Sequence, residues 1–320
     1  MKKSHLFIII LLIFFGCSKN NESKKITIAT LKGPSAMGMI KMIDSLANTE
    51  NAESEIIIRN EPIQVRQLML ENKVDFAILP TTMGAILYNK GLPYQLAAIP
   101  VWGTLYLFGT DSTIKTWNDL KGKRIYLMGK GMTPDVLFKY LLIRNNIDPD
   151  KDVILDYSFP THIELANAVA AGKAILGVIS EPMVSMVIQK NKNVFPVFDL
   201  NTEWQKVHSN IPIAQTAFLV KSDFAIKNPQ FVDQLMNEYQ KSTEWVNANP
   251  DSAAELIVKY KILPNAVVAK ESIPRSNLHF VNANEIKTEI YHYLDIFYTL
   301  NPDIIGGKIP DEKFILQNKK

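Results

Sequence analysis

The chain has a single cysteine, Cys17, among its 320 residues, which excludes an intramolecular disulfide. Long apolar runs are also missing: the stretch from Leu6 to Phe15 stops at about ten residues, half of the roughly 20 that a membrane-spanning helix needs. Lysine and arginine gather in no block, so the sequence offers no footprint for nucleic acid. Five histidines are present, His5, His162, His208, His279 and His292, and none has metal-ligand spacing with another. There is no cysteine nucleophile paired with a base, no G-x-S-x-G elbow, no H-E-x-x-H, no P-loop and no G-x-G-x-x-G fingerprint. The reading therefore assigns no catalytic residue, no metal ligand and no cofactor. No repeat of fixed period is visible either.

What is there begins with an export signal. Lys2 and Lys3 precede the apolar run, and Gly16 precedes Cys17 and the polar stretch Ser18 to Ser23. The segment Phe14-Phe15-Gly16-Cys17 resembles a bacterial lipobox, which implies that residues 1–16 are removed and that Cys17 carries a lipid. Residues 17–24 then read as a lipidated cysteine and a flexible tether. Cleavage there leaves 33 basic against 32 acidic residues, a nearly balanced surface. The expected location is the cell envelope, lipid-anchored and facing the periplasm or the outside.

From Lys24 onward, short β-branched runs alternate with amphipathic stretches, the pattern of an α/β protein. Ile26 to Ala29, Glu55 to Ile58 and Val74 to Leu79 read as strands, with helices from about Ser35 and from Val65 and Met83. A second series starts at Lys123 and returns through Ile213 to Val220; the remainder, Asn228 to Leu300, reads as mostly helical. About 300 residues exceed what one core usually holds, so two lobes are expected. They are placed at residues 25–108 with 216–320, and at 109–215, with the first crossing after the apolar run Thr104 to Gly109.

Four segments carry a family likeness: Leu31-Lys32-Gly33-Pro34-Ser35-Ala36; Phe76 to Thr81; Gly131-Met132-Thr133-Pro134-Asp135; and Glu164 to Lys173 leading into Ile179-Ser180-Glu181-Pro182. Together they resemble the periplasmic substrate-binding proteins of the nitrate, sulfonate, taurine and thiamine-precursor importers, over most of residues 25–222. The resemblance implies a type II periplasmic-binding fold, two α/β lobes joined by a two-segment hinge. It also implies a monomer that takes a small-molecule solute between the lobes and works with an ABC permease and an ATPase.

In open α/β sheets, ligands sit beyond the carboxyl ends of the strands, where loops enter helix N-termini rich in free N–H groups. Candidate ligand contacts are therefore Gly33, Pro34, Ser35, Thr81, Thr82, Trp102, Gly131, Met132, Thr133, Ser180 and Glu181. Ser35 and Thr133 fit helix N-caps equally well, and capping shares its geometry with anion binding. Trp102 reads as a stacking wall or as packing at the lobe junction, and Glu181 as an acceptor for an amine or as a charge complementing a helix dipole. Lys32 and Lys130, in facing loops, suit an anion. The solute stays open among sulfonate, nitrate, taurine and a thiamine precursor. Two other functions use the same features, an enzyme on this fold of the menaquinone or pyrimidine-precursor type and a tethered solute sensor; a purely structural lipoprotein would have no cleft, and the glycine and hydroxyl loops count against it.

Overall fold

The computed structural model describes residues 25–50 and 52–317; the export segment, Cys17 and the tether fall outside them. Strands β1 (Ile26–Leu31) and β2 (Ser54–Arg59) run parallel, Ile28 opposite Ile56 and Ala29 opposite Ile57. Such β-branched residues suit a pleated, half-buried surface. Between them the expected helix is broken into α1 (Pro34–Gly38) and α2 (Ile40–Ala47). The break is held from far along the chain, because Ser242 Oγ donates to the Gly38 carbonyl at 2.7 Å and accepts the Lys41 N–H at 3.1 Å.

The chain continues through α3 (Pro62–Leu70), β3 (Phe76–Pro80), α4 (Thr81–Asn89), β4 (Tyr94–Val101) and β5 (Leu105–Gly109). Next come β6 (Arg124–Tyr126), α5 (Thr133–Arg144), β7 (Ile154–Asp156), α6 (His162–Ala170), β8 (Leu176–Ser180), α7 (Met183–Lys190), β9 (Phe195–Asp199) and α8 (Leu200–Val207). β10 (Thr216–Lys221), α9 (Ser222–Lys227), α10 (Pro229–Ala248), α11 (Pro250–Lys259), α12 (Ala266–Ser272), β11 (Leu278–Asn282) and α13 (Lys287–Leu300) follow.

These strands form two sheets, ordered β11-β4-β10-β3-β1-β2 and β7-β6-β8-β5-β9. In each, parallel pairs sit beside antiparallel ones: β10 runs against both β3 and β4, and β5 against both β8 and β9. Helices cover the faces, and the central strands are apolar on both sides; Phe76, Ala77, Ile78 and Leu79 of β3 are all buried, as are Leu105 to Phe108 of β5.

Three features differ from the sequence reading. β5 belongs to the second sheet, so the chain first crosses at Trp102–Thr104 and not after residue 108. The C-terminal stretch contains a strand, β11, whose Leu278 and Phe280 alternate inward with exposed His279. Helix α8, between the last strand of the second sheet and the return crossing, was not expected at all. Among the described residues no helix is long and apolar enough to cross a membrane.

Candidate functional site

The sheet registers bring the proposed loops together. Thr216, at the start of β10, pairs with Pro80 and Val101, so the carboxyl ends of β3 and β4 share one edge with the returning chain. In the second sheet, Leu105 at the start of β5 pairs with Ser180 at the end of β8. Both crossings lie at these edges and are bonded to each other: Thr104 N–H donates to Gln215 Oε1 at 2.7 Å, and Gln215 Nε2 donates to Thr104 Oγ1 at 2.8 Å. Main-chain bonds from Thr81 N–H to the Gln215 carbonyl and from Glu181 N–H to the Thr104 carbonyl, each 3.0 Å, seat the strand-end loops on the crossings.

Across this junction the two sides meet through loop residues. Thr82, in the first turn of α4, places its hydroxyl 3.0 Å from the hydroxyl of Thr133, in the first turn of α5. Gly33 has φ +121°, which favours glycine, and a Cβ there would stand 3.6 Å from Cδ of Pro182. Near the carboxyl ends of β1 and β3 two hydroxyls are buried with no hydrogen-bond partner among the described residues, Thr30 Oγ1 and Thr81 Oγ1. Buried hydroxyls normally have partners, so both keep hydrogen-bonding capacity unused among the described residues.

The loop carrying Gly131, Met132 and Thr133 is held by Asp135, which is 1% exposed. Its carboxylate accepts from Gly131 N–H at 2.7 Å, Tyr157 Oη at 2.6 Å and Lys139 Nζ at 3.2 Å. Capping differs by a residue or two from expectation: Gly33 is the N-cap of α1 and Met132 that of α5, so Ser35 and Thr133 lie inside the first turns. Ser35 is nonetheless buried, its carbonyl accepting from Tyr239 Oη at 3.0 Å.

Residues 49–253, well over half of the chain, match the model of the NMT1/THI5 like family. The chain belongs to the NMT1/THI5-like family. It is also 25% identical over 187 residues to YtlA of Bacillus subtilis (strain 168), which is named as a binding protein. That match covers 56% of this chain and 52% of YtlA, so the chain matches about half the length of this curated relative. Among solved structures, an ABC transporter protein from Parabacteroides distasonis superposes with a TM-score of 0.80 at 26% identity, covering 92% of this chain and 99% of that one. The periplasmic aliphatic sulphonate binding protein SsuA of Escherichia coli superposes with a TM-score of 0.71 at 18% identity, covering 92% and 94%. The fold is the two-lobed α/β arrangement of periplasmic binding proteins.

In this NMT1/THI5-like chain, two of the residues nominated from sequence are engaged elsewhere. Trp102 is 6% exposed, donates its indole N–H to the His279 carbonyl at 2.7 Å, and lines a separate depression with Asn277, Ile273 and Asn201. Glu181 is 2% exposed and has both oxygens occupied: Oε1 accepts from Arg275 Nε at 2.6 Å and Ser185 Oγ at 2.9 Å, and Oε2 from Ser185 N–H at 3.1 Å. Burial pushes its carboxyl above the ordinary value, against the opposing pull of Arg275 and Ser185. Met132 is 53% exposed at the loop tip, and Ser180 ends β8 beside Leu105. Lys32 and Lys130 are exposed, Lys130 lying over the Tyr157 ring. The sequence reading did not nominate Arg275, Ser185, Gln215 or Thr30. Only Thr30, two residues from the Lys32-Gly33 loop, lay within reach of the strand-end rule.

A second junction lies where α8 and α13 pack together. His208 Nε2 is 2.8 Å from Tyr140 Oη, and its Nδ1 is 3.0 Å from His292 Nε2. Desolvation, then the charges of His292 and Arg144, lowers His208 to about 4 from an ordinary 6.5. Between those values the unfolded chain binds a proton that the folded chain refuses, so stability is fully present above pH 6.5 and is lost as pH falls toward 4. Allowing for its partial exposure, the expected loss is about 1–2 kcal/mol. Urea midpoints at pH 7 and pH 5 should separate by more in the parent than in His208→Gln; equal separations would contradict this.

Proposed function

We propose that the chain is the extracytoplasmic substrate-binding component of an ABC importer, closing two lobes on a small polar solute without making or breaking a bond. The observation that carries the reading is the junction itself. First turns from the two sides are joined by the Thr82–Thr133 pair, and the strand ends nearby carry the buried hydroxyls of Thr81 and Thr30, which have no partner among the described residues. Family membership and the fold shared with an ABC transporter protein and a sulphonate binding protein support it. The lobes would be residues 25–103 with 216–317, and 104–215, rotating about the Thr104–Gln215 crossings. Ligand bridging both sides favours the closed form by its differential affinity, and that form is what a permease reads. Cys17 would hold the protein at the membrane surface through its lipid.

The ligand contacts on this reading are Gly33, Pro34, Ser35, Thr81, Thr82, Gly131, Met132, Thr133 and Ser180, with Glu181 behind them. Glu181 is already matched by Arg275 and Ser185, so it offers no free carboxylate for an amine. Helix first turns and hydroxyls favour oxyanions. The solute class proposed is therefore a small oxyanion such as a sulfonate or nitrate, ahead of a thiamine precursor; taurine would bind through its sulfonate.

A thermal-shift panel on residues 18–320 tests this. At a hundred times its dissociation constant a solute adds about 2.7 kcal/mol. Sulfonates or nitrate should raise the midpoint. Stabilisation by amino-pyrimidines alone would overturn the oxyanion assignment, and stabilisation by none of these solutes would overturn the binding-protein reading.

A further inference from the structure

We propose that Arg275 is a positioning residue that sets the balance between open and closed lobes through its ion pair with Glu181, and thereby tunes affinity for the solute. The inference rests on the reading of the two sheets as lobes that move.

Arg275 ends the short 3-10 turn Ile273–Arg275 between α12 and β11, on the side of the first sheet. Its partners belong to the other side: Glu181 follows β8 and Ser185 lies in the first turn of α7. Nε reaches Glu181 Oε1 at 2.6 Å and Nη2 reaches Ser185 Oγ at 2.6 Å. A guanidinium can make both bonds at once because its donors form a rigid fork; an ammonium cannot reproduce that fork. Tyr106 of β5 adds a third bond across the junction, its Oη donating to the Arg275 carbonyl at 3.1 Å. Met186 of α7 packs against the core of the first sheet alongside, and α12 faces α7.

The division of bonds gives the pair its leverage. Glu181 is satisfied within its own side by Ser185, whose N–H and Oγ both donate to it, so that side holds its geometry whether the lobes are together or apart. The Arg275 bonds are the ones that separation breaks. Breaking them takes the cation from a carboxylate that is 2% exposed and a serine that is 0% exposed. Hydrogen bonds to charged groups are each worth enough to shift an equilibrium by about tenfold or more. The protein's own groups thus supply part of the closing free energy that a solute would otherwise supply alone, and a chain lacking them would bind the same solute more weakly.

The test measures closure without any solute, so it is independent of the solute's identity. In a Cys17→Ser background, spin labels at Ile63→Cys and Ile163→Cys, both well exposed, report the distance between α3 and α6, one from each side. The parent should show a short-distance population, and Arg275→Ala should reduce the closed-to-open ratio about tenfold. Arg275→Lys should fall between them. Glu181→Gln, which keeps the size of the side chain, should shift the ratio in the same direction and covers the case in which Arg275→Ala fails to fold. Distributions for folded Arg275→Ala or Glu181→Gln that coincide with the parent would overturn the proposal, as would a parent that is wholly open. The binding reading fails separately, if no solute in the panel alters the parent's distances.

Discussion

Asp135→Ala should lower unfolding free energy by about 3 kcal/mol and release the loop that carries Thr133. Asp135 is buried at the first turn of α5, and its carboxylate is the common acceptor for Gly131 N–H, Tyr157 Oη and Lys139 Nζ. Truncation leaves all three donors without it, and the penalty for stranding partly buried donors exceeds the net worth of the bonds. The acid end of α5 also complements the helix dipole. Gly131 has φ +76°, and once its N–H is freed the turn still has the Met132 N–H bond to the Gly129 carbonyl at 2.7 Å, so the loop loosens without losing its turn. Asp135→Asn keeps an acceptor but loses the charge, and should recover part of the loss. Urea unfolding measures the stability, and amide exchange at residues 129–133 measures the loop. A change below about 1 kcal/mol with unaltered exchange would show that the loop is held by something else.

Trp204→Ala should cost about 3–5 kcal/mol, the range for removing a large aromatic from a packed core. Trp204 is 0% exposed and its ring stands 4.2 Å from His208, 5.4 Å from Tyr140 and 6.1 Å from Tyr293. Those neighbours come from the residue after α8, from α5 and from α13, so one indole fills the space where α13 meets the second sheet's helices. Alanine leaves a cavity that rings on three separate segments cannot close by a common movement. Trp204→Phe should restore most of the loss, because the Trp204 indole N–H has no partner among the described residues and its removal sacrifices no hydrogen bond. A midpoint shift in Trp204→Ala no larger than that of Trp204→Phe would contradict this packing account.

The α/β alternation, and with it most strands of both sheets, was legible because β-branched runs such as Ile56-Ile57-Ile58 and the breaks after them are local signals. What the sequence hid depends on distant partners. Thr104 to Gly109 is apolar on both faces wherever it sits, and only its pairing with β8 and β9 assigns it to the second sheet. Helix α8 begins with Leu200-Asn201-Thr202, capped by Asp199, and of its three buried residues only Leu200 and Trp204 are apolar, too sparse a stripe to stand out. β11 was hidden inside a stretch dominated by helix formers. At the site, the strand-end rule brought Thr82 and Thr133 into one list, and the structure brings their hydroxyls together. The rule could not find Arg275, which lies 94 residues from Glu181 in the chain. Nor could it tell that Trp102, though at a strand end, turns toward His279.

The most direct test of the central claim is calorimetric titration of the protein with sulfonates and nitrate, in parallel with Thr82→Val and Thr133→Val. The account predicts one solute per chain and an affinity about tenfold weaker in each variant, since each removes a hydroxyl where the two sides meet. Binding that both variants leave unchanged would move the site elsewhere, and the absence of heat for every solute would contradict the account.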